Sequence, residues 1–251
     1  MISNFSDFNI HEICKEYDID NYTIRDGLVD VDGDVSLGNM NLTRLPLKFG
    51  NVSGGFFCHN NQLTSLKGAP KQVGFNFYCH NNQLTTLEGA PDYVGRNFDC
   101  CYNQLTNLEG APIQVGGDFY CHSNKLTSLK GAPKQVGFNF YCNDNQLSSL
   151  EGAPREVGRN FFCNNNQLAS LKGAPIEVGG NFYCYSNQLT SLEGAPKEVC
   201  GGFYYHNPLP KEILDFDDIK YIFKWQAEYN IWRNGKLDLF RFKQMIDDYG
   251  K

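Results

Sequence analysis

Residues 77–94 read FYCHNNQLTTLEGAPDYV, and close variants of this phrase recur through the middle of the chain. The cysteines show the period most clearly, because seven of them are spaced by 21 residues: Cys58, Cys79, Cys100, Cys121, Cys142, Cys163 and Cys184. A fixed period of this length is typical of a solenoid, in which each repeat is one structural unit stacked on the next.

The pattern inside one repeat predicts a short strand followed by an extended return segment. Phe77 and Cys79 are two residues apart, which places their side chains on one face of a strand and those of Tyr78 and His80 on the other. The GAP tripeptide at residues 89–91 does not suit a helix interior. One such coil cannot bury its own apolar side. The coils are therefore predicted to stack, strand on strand, into a parallel β-sheet with a continuous core.

An asparagine follows each of these cysteines by three residues and is predicted to face inward. A buried amide is tolerated only when it is hydrogen-bonded, here to the backbone of its own and the neighbouring coils. We expect a hydrogen-bonded ladder formed by Asn61, Asn82, Asn103, Asn124, Asn145, Asn166 and Asn187.

The repeat that begins at Asn187, NQLTSLEGAP, resembles the leucine-rich repeat of the short bacterial type, whose units read roughly NxLTxLPxLPxxLxxLxV. Ala195 stands where that family usually has leucine, and cysteine stands where it has valine or leucine. The resemblance covers roughly residues 35–209. The GAP and NFxC phrases are also similar to variants of this repeat in large bacteriophage and bacterial genomes. The resemblance implies an arc with the parallel sheet on its concave face, and usually a binding function.

The two ends of the chain are predicted to cap the solenoid, because terminal coils expose core on one side. Residues 1–34 predict a helix from about Asp7 to Tyr17 and then an acidic hairpin that turns at Asp26-Gly27. About eight coils follow at residues 35–209. Residues 210–251 predict helices with a stop near Asn234-Gly235. A partner-binding helix pair is the alternative interpretation of the C-terminal end, and self-association through the caps is a further alternative.

Composition limits the possible partners and compartments. The formal net charge is −6, and the solenoid lacks the basic stripe that duplex nucleic acid requires. No apolar run approaches the roughly 18 residues of a membrane span, and the N-terminus lacks the order of a signal peptide. The seven periodic cysteines occupy core positions, where thiols act as small hydrophobes. These observations predict a cytoplasmic protein with reduced cysteines and no membrane association.

The outward strand positions form rows, and the first row is aromatic at seven of eight positions. We call it the aromatic row: Phe57, Tyr78, Asp99, Tyr120, Tyr141, Phe162, Tyr183 and Tyr204. Exposed aromatic side chains are typical of partner-binding surfaces. The other interpretation, left open by the sequence, is a ladder that only stabilises the sheet through neighbour contacts.

The next outward row, which we call the imidazole row, contains His59, His80, Cys101, His122, Asn143, Asn164, Tyr185 and His206. Asp99 in the aromatic row and Cys101 in the imidazole row belong to one coil, and Tyr102 lies beside Cys101. The pattern of both rows therefore changes within this coil. Imidazole and thiol donors in neighbouring strands suit a soft metal, but side chains on a flat sheet converge poorly on a tetrahedral centre. We therefore predict no metal and no cofactor. We assign to partner binding the whole aromatic row together with His59, His80, Cys101, Tyr102 and His122.

No catalytic constellation stands out, because the cysteine and histidine recurrences follow the structural period, whereas a nucleophile is normally singular. The sequence predicts a non-enzymatic protein–protein interaction module. The resemblance to phage repeats extends this to a protein that binds and blocks a host protein in the bacterial cytoplasm. One alternative is a solenoid that binds a glycan or nucleotide. Another is a metal-binding or catalytic site near Asp99 and Cys101.

Overall fold

The computed structural model describes residues 5–206, 209–233 and 235–249. In chain order the elements are α1 (Phe5–Glu16), β1 (Tyr22–Arg25), β2 (Leu28–Val31), β3 (Val35–Ser36), β4 (Phe49–Val52), β5 (Phe56–Phe57), β6 (Gln72–Val73), β7 (Phe77–Tyr78), β8 (Tyr93–Val94), β9 (Phe98–Asp99), β10 (Gln114–Val115), β11 (Phe119–Tyr120), β12 (Gln135–Val136), β13 (Phe140–Tyr141), β14 (Glu156–Val157), β15 (Phe161–Phe162), β16 (Glu177–Val178), β17 (Phe182–Tyr183), β18 (Glu198–Val199), β19 (Phe203–Tyr204), α2 (Lys211–Leu214), α3 (Ile219–Tyr229), β20 (Trp232–Arg233), β21 (Lys236–Leu237) and α4 (Leu239–Asp247).

Two parallel sheets run along the solenoid, and each regular coil contributes one short strand to each of them. The phenylalanine sheet consists of the odd-numbered strands from β3 to β19, paired in sequence order. Its register places equivalent residues opposite one another, as in Phe77↔Phe98 and Tyr78↔Asp99. The parallel repeat sheet predicted from the sequence is confirmed.

The valine sheet is the part of the coil that sequence reasoning described only as an extended return. It consists of the even-numbered strands from β4 to β18, preceded by β2 and β1. Val73 pairs with Val94 in register. The return segment forms strands because equivalent backbone groups lie opposite each other in consecutive coils, and unpaired backbone groups are costly when they are shielded from water.

The core between the sheets is built from columns of identical side chains. Phe77 is fully buried, and its ring stacks on that of Phe98 at 5.4 Å between centroids with planes 7° apart. The same inner column continues to Phe203, whose ring stacks on Phe182 at 5.4 Å. Beside it lies the column of buried periodic cysteines. Burial raises the pKa of the Cys58 thiol to about 12, so these thiols stay protonated.

The asparagine ladder predicted from the sequence is confirmed. Asn82 Oδ1 accepts a hydrogen bond from the Leu63 amide at 2.9 Å, and its Nδ2 donates to the carbonyl oxygens of Cys58 and Cys79, both at 3.0 Å. One side chain thus ties its own coil to the preceding one. The same arrangement recurs at Asn61, Asn103, Asn124, Asn145, Asn166 and Asn187.

The GAP tripeptide closes each coil with a tight turn. Ala90 N donates to Leu87 O at 2.9 Å. Gly89 has a φ of +90°, and a Cβ there would lie 2.9 Å from the Leu66 carbonyl oxygen. Only glycine fits both the backbone conformation and the close approach of the preceding coil.

The N-terminal helix and hairpin are present, as predicted. The hairpin turns at Asp26 and Gly27, which have φ values of +52° and +74°, as a two-residue turn of this kind requires. Strand β2 then pairs in parallel with β4. The valine sheet therefore begins inside the segment that the sequence assigned to the cap at residues 1–34.

The C-terminal end contains helices α2, α3 and α4 and a small β20–β21 hairpin. The Phe223 ring of α3 packs edge-on against Phe203 at 4.7 Å and so covers the end of the inner phenylalanine column. Asp218 caps α3 by accepting from Tyr221 N, and Asp238 caps α4 by accepting from Arg241 N. The predicted stop at Asn234, and residues 207–208 of the last coil, lie outside the described residues. Among the helices of the described part, none has the length and apolar character needed to cross a membrane.

Replacing Asn82 with alanine tests the ladder. The change leaves the buried Leu63 amide without a partner and removes one of the two side-chain donors to each of the Cys58 and Cys79 carbonyl oxygens. We therefore expect the free energy of unfolding to fall by about 1–3 kcal/mol. Urea denaturation measures the loss. The neighbouring exposed Gln83→Ala is the matched control and should stay within about 0.5 kcal/mol of wild type. Equal effects of the two substitutions would show that the ladder contributes little.

Thiol labelling tests the cysteine column. Of the ten cysteines, Cys200 is exposed and the other nine are buried. The native protein should therefore react with a thiol reagent at Cys200 alone on the time scale of minutes, and at every cysteine after denaturation. Rapid reaction of several cysteines in the folded protein would contradict the packing of this column.

Candidate partner-binding face

All outward residues singled out in the sequence lie on the outer face of the phenylalanine sheet. Along one strand the side chains alternate, so Phe77 and Cys79 are buried while Tyr78 and His80 are partly exposed. Because the strands are stacked in register, the aromatic row and the imidazole row run side by side along this face. We call this surface the aromatic face.

Most of the aromatic row is a stack of parallel rings. From Tyr120 to Tyr204 the neighbouring ring centroids are 4.5 to 4.6 Å apart, and the planes differ by no more than 9°. Inside this stack, each ring face is covered by the neighbouring ring. The ring edges are what this part of the face presents outward, and Tyr204 at its end is 47% exposed.

The stack is interrupted at Asp99. Phe57 and Tyr78 lie beyond the interruption, and their rings are tilted by 59° at 5.4 Å rather than stacked. Strand β9 pairs with β7 on one side and β11 on the other, so Asp99 lies directly between Tyr78 and Tyr120. The structure therefore brings the row together as one stack of five rings and a separate pair.

Asp99 is held by its neighbours in the imidazole row. Its Oδ1 accepts from the Cys101 amide at 3.0 Å, and its Oδ2 lies 3.1 Å from His80 Nδ1. Burial raises the pKa of Asp99, but the contacts with His80 and Cys101 outweigh burial and hold the pKa below its usual value. Asp99 is therefore an anion at neutral pH.

The histidines near Asp99 are packed against each other rather than converging on one point. His59 stacks on His80 with centroids 4.8 Å apart, and His122 meets the exposed Tyr102 edge-on at 5.4 Å. Burial lowers the pKa of both His59 and His122. Within the described ranges, no three His, Cys, Asp or Glu side chains are grouped so that they could hold a metal ion.

Cys101 does not have the environment of a reactive nucleophile. The residue is buried, and burial together with the adjacent Asp99 raises the pKa of its thiol. Nucleophilic cysteines instead need positive surroundings that lower the thiol pKa. The surroundings of Cys101 therefore keep its thiol protonated.

A third outward row was missed by the sequence reasoning. We call it the amide row: Asn76, Asn97, Asp118, Asn139, Asn160 and Asn181. Its side chains accept from the backbone of the next coil, as Asn97 Oδ1 does from Asp118 N at 2.9 Å. It also steadies the aromatic row, since Tyr120 Oη donates to Asp118 Oδ2 at 3.1 Å. The 21-residue recurrence of asparagine immediately before the inward phenylalanine was the available signal.

The aromatic face carries negative charge and no cationic side chain. Between residues 57 and 206, all of which the structure describes, the three rows contain no lysine or arginine, and they include the carboxylates of Asp99 and Asp118. The lysines of the coils lie elsewhere, as in the Lys130–Glu109 and Lys172–Glu193 pairs after the second leucine of a repeat.

Two concavities of the described surface lie away from the stacked rings. A groove of ≈ 420 Å³ runs along the outer face of the valine sheet, past Gln135 and Glu156. A crevice of ≈ 410 Å³ lies between the last coils and α3, beside Ala195 and Phe223. Tyr120, Tyr141, Phe162 and Tyr183 line neither of them.

The stacked coils, the inward asparagines and the outward rows define a repeat solenoid with the leucine-rich-repeat fold. No protein-family model and no curated protein matches the chain. Among solved structures, it is similar to a chain described as the leucine-rich-repeat domain of a Shigella effector. The TM-score is 0.57 at 21% identity, over 83% of this chain and 92% of that one. The likeness supports the fold predicted from the sequence.

The partly buried imidazoles of His59 and His122 predict a pH-dependent stability. The folded protein favours the neutral forms of His59 and His122, while the unfolded chain binds protons near pH 6.5. Unfolding therefore takes up protons, and the free energy of unfolding should fall as the pH drops below about 6.5. Urea denaturation at pH 7.5 and 5.5 measures the difference.

Asparagine occupies the imidazole row at other coils, so a His59→Asn, His122→Asn double variant is a conservative comparison. It should lose less stability than wild type between the two pH values. Replacing the exposed His206 with asparagine should leave the wild-type difference unchanged. An undiminished pH dependence in the double variant would contradict the role assigned to these two partly buried rings.

Proposed function

We propose that the protein is a non-enzymatic interaction module that holds a protein partner on its aromatic face. The observation that carries the proposal is the five-ring stack from Tyr120 to Tyr204, which lies on a rigid sheet and offers a continuous strip of aromatic edges. Aromatic side chains give large contact area at low entropic cost, and they concentrate binding energy in protein interfaces.

The stacking geometry favours a protein partner over a small planar ligand. A sugar or base would need a free ring face, but the rings inside the stack cover each other at 4.5 to 4.6 Å. A protein surface can contact the ring edges and the flanking amide and imidazole rows along several coils at once. The mechanism is steric: a rigid extended surface covers the partner.

The partner we propose is a host protein in the bacterial cytoplasm, blocked by a phage-encoded chain. The similarity of the repeats to those of phage and bacterial genomes supports this. The shared fold with a domain described as part of a Shigella effector supports an interaction module in general. The buried column of protonated, free thiols suits a reducing compartment.

Capture of proteins from a bacterial lysate, compared between variants, tests the face. Tyr141→Ala with Tyr183→Ala removes two rings from the stack and should reduce recovery of the specifically retained protein at least tenfold, while the melting temperature shows a folded solenoid. The matched control is Gln135→Ala with Glu156→Ala on the outer face of the valine sheet, which should retain wild-type capture. If the control loses capture and the tyrosine variant keeps it, the binding face is the wrong one.

A further inference from the structure

In the coil that carries Asp99, two neighbouring outward positions hold smaller side chains than the equivalent positions of the coils on either side. Asp99 replaces an aromatic ring, and Cys101 replaces the imidazole found in the coils on both sides. In-register pairing places Tyr78 and His80 on one side of this coil and Tyr120 and His122 on the other. We call the resulting gap the Asp99 notch.

The width of the notch matches one flat group. Neighbouring strands are about 4.8 Å apart, so Tyr78 and Tyr120 belong to strands separated by about 9–10 Å. Further along the row, the same distance is filled by one intervening ring, with Tyr141 and Tyr183 on either side of Phe162. At Asp99 a side chain shorter than an aromatic ring occupies this position. Tyr78 and Tyr120 therefore have a carboxylate, and no ring, between them.

The floor of the notch is anionic. The Asp99 side chain is 17% exposed, and its pKa is lowered, so it carries its charge at neutral pH. Its contacts to Cys101 N and His80 use part of its capacity, since a carboxylate can accept about four hydrogen bonds. No lysine or arginine lies on the three rows of the face between residues 57 and 206 to neutralise it.

We propose that the Asp99 notch takes an arginine side chain of the protein partner, with the guanidinium between Tyr78 and Tyr120 and its N–H groups directed at Asp99. A guanidinium is planar, stacks on aromatic faces and pairs with carboxylates through a rigid fork of donors. An ammonium group has the charge but not the flat shape. This inference rests on the proposed function and adds the chemistry that the partner presents at one coil.

The experiment uses a small probe, so that it does not depend on the identity of the partner. The full-length chain, with ¹³C-labelled tyrosine rings, is titrated with N-acetylarginine methylamide and separately with its neutral citrulline counterpart. The ring signals of Tyr78, Tyr120 and Tyr183 are assigned by their loss in Tyr→Phe variants. Saturable shifts of Tyr78 and Tyr120 with arginine, and not of Tyr183, are expected. Citrulline should bind at least tenfold more weakly. If the Tyr78 and Tyr120 signals do not shift with the arginine probe, or shift equally with citrulline, the proposed arginine site is wrong.

Three variants complete the test. Asp99→Tyr continues the ring stack and should abolish the arginine response. Asp99→Asn keeps the shape, removes the charge and should weaken binding at least tenfold. Asp118→Asn removes a carboxylate from the same face outside the notch and should leave binding within twofold of wild type. Melting temperatures establish that each variant is folded.

The two proposals fail separately. If arginine binds as well to Asp99→Tyr as to wild type, the notch is wrong, whatever the lysate experiment shows. If Tyr141→Ala with Tyr183→Ala leaves capture intact while arginine still binds the notch, the fault lies with the assignment of the stacked rings. If N-acetyl-lysine methylamide shifts the Tyr78 and Tyr120 signals as much as the arginine probe does, the proposed preference for a planar cation is wrong.

Discussion

The solenoid depends on one constraint: each regular coil must contain 21 residues, so that equivalent residues of successive coils lie next to each other. The asparagine ladder enforces this constraint. Each asparagine side chain is hydrogen-bonded to a backbone carbonyl of its own coil and to both a carbonyl and a backbone N–H of the preceding coil. A coil of another length would leave these groups unpaired inside the core, at a cost of about 1–3 kcal/mol for each. Register is therefore specified by buried polar groups, while the apolar columns supply the burial.

The same constraint explains how one sequence pattern produces both the core and the surface. Inward phenylalanines stack because identical rings recur at the strand spacing, and outward tyrosines stack for the same reason on the other face. Stacking alone therefore says little about function. Two departures from pure repetition set the aromatic face apart: the absence of lysine and arginine from its rows between residues 57 and 206, and the change of residue type at Asp99 and Cys101.

The sequence predicted the repeat period, the inward and outward assignment of residues, the asparagine ladder and the Asp26-Gly27 hairpin, because each follows from local spacing or turn chemistry. It did not predict strands in the return segment, since two-residue strands such as Gln72–Val73 are defined only by pairing between coils. The amide row was not predicted either, although Asn97 and its equivalents recur with the same period. Ring stacking and the Asp99 contacts depend on side-chain conformation, which spacing does not determine.

A surface made of identical rows presents nearly the same side chains after a shift of one coil, so it does not by itself fix the position of a partner. A partner that recognised only the stacked rings would gain nearly the same contacts after sliding by about 4.8 Å, the distance between neighbouring strands. The single interruption at Asp99 removes that degeneracy, because it occurs once along the row and differs from the rings in both charge and size. For a partner bound along the proposed face, the coil that departs most from the repeat would therefore fix the partner's position along the row.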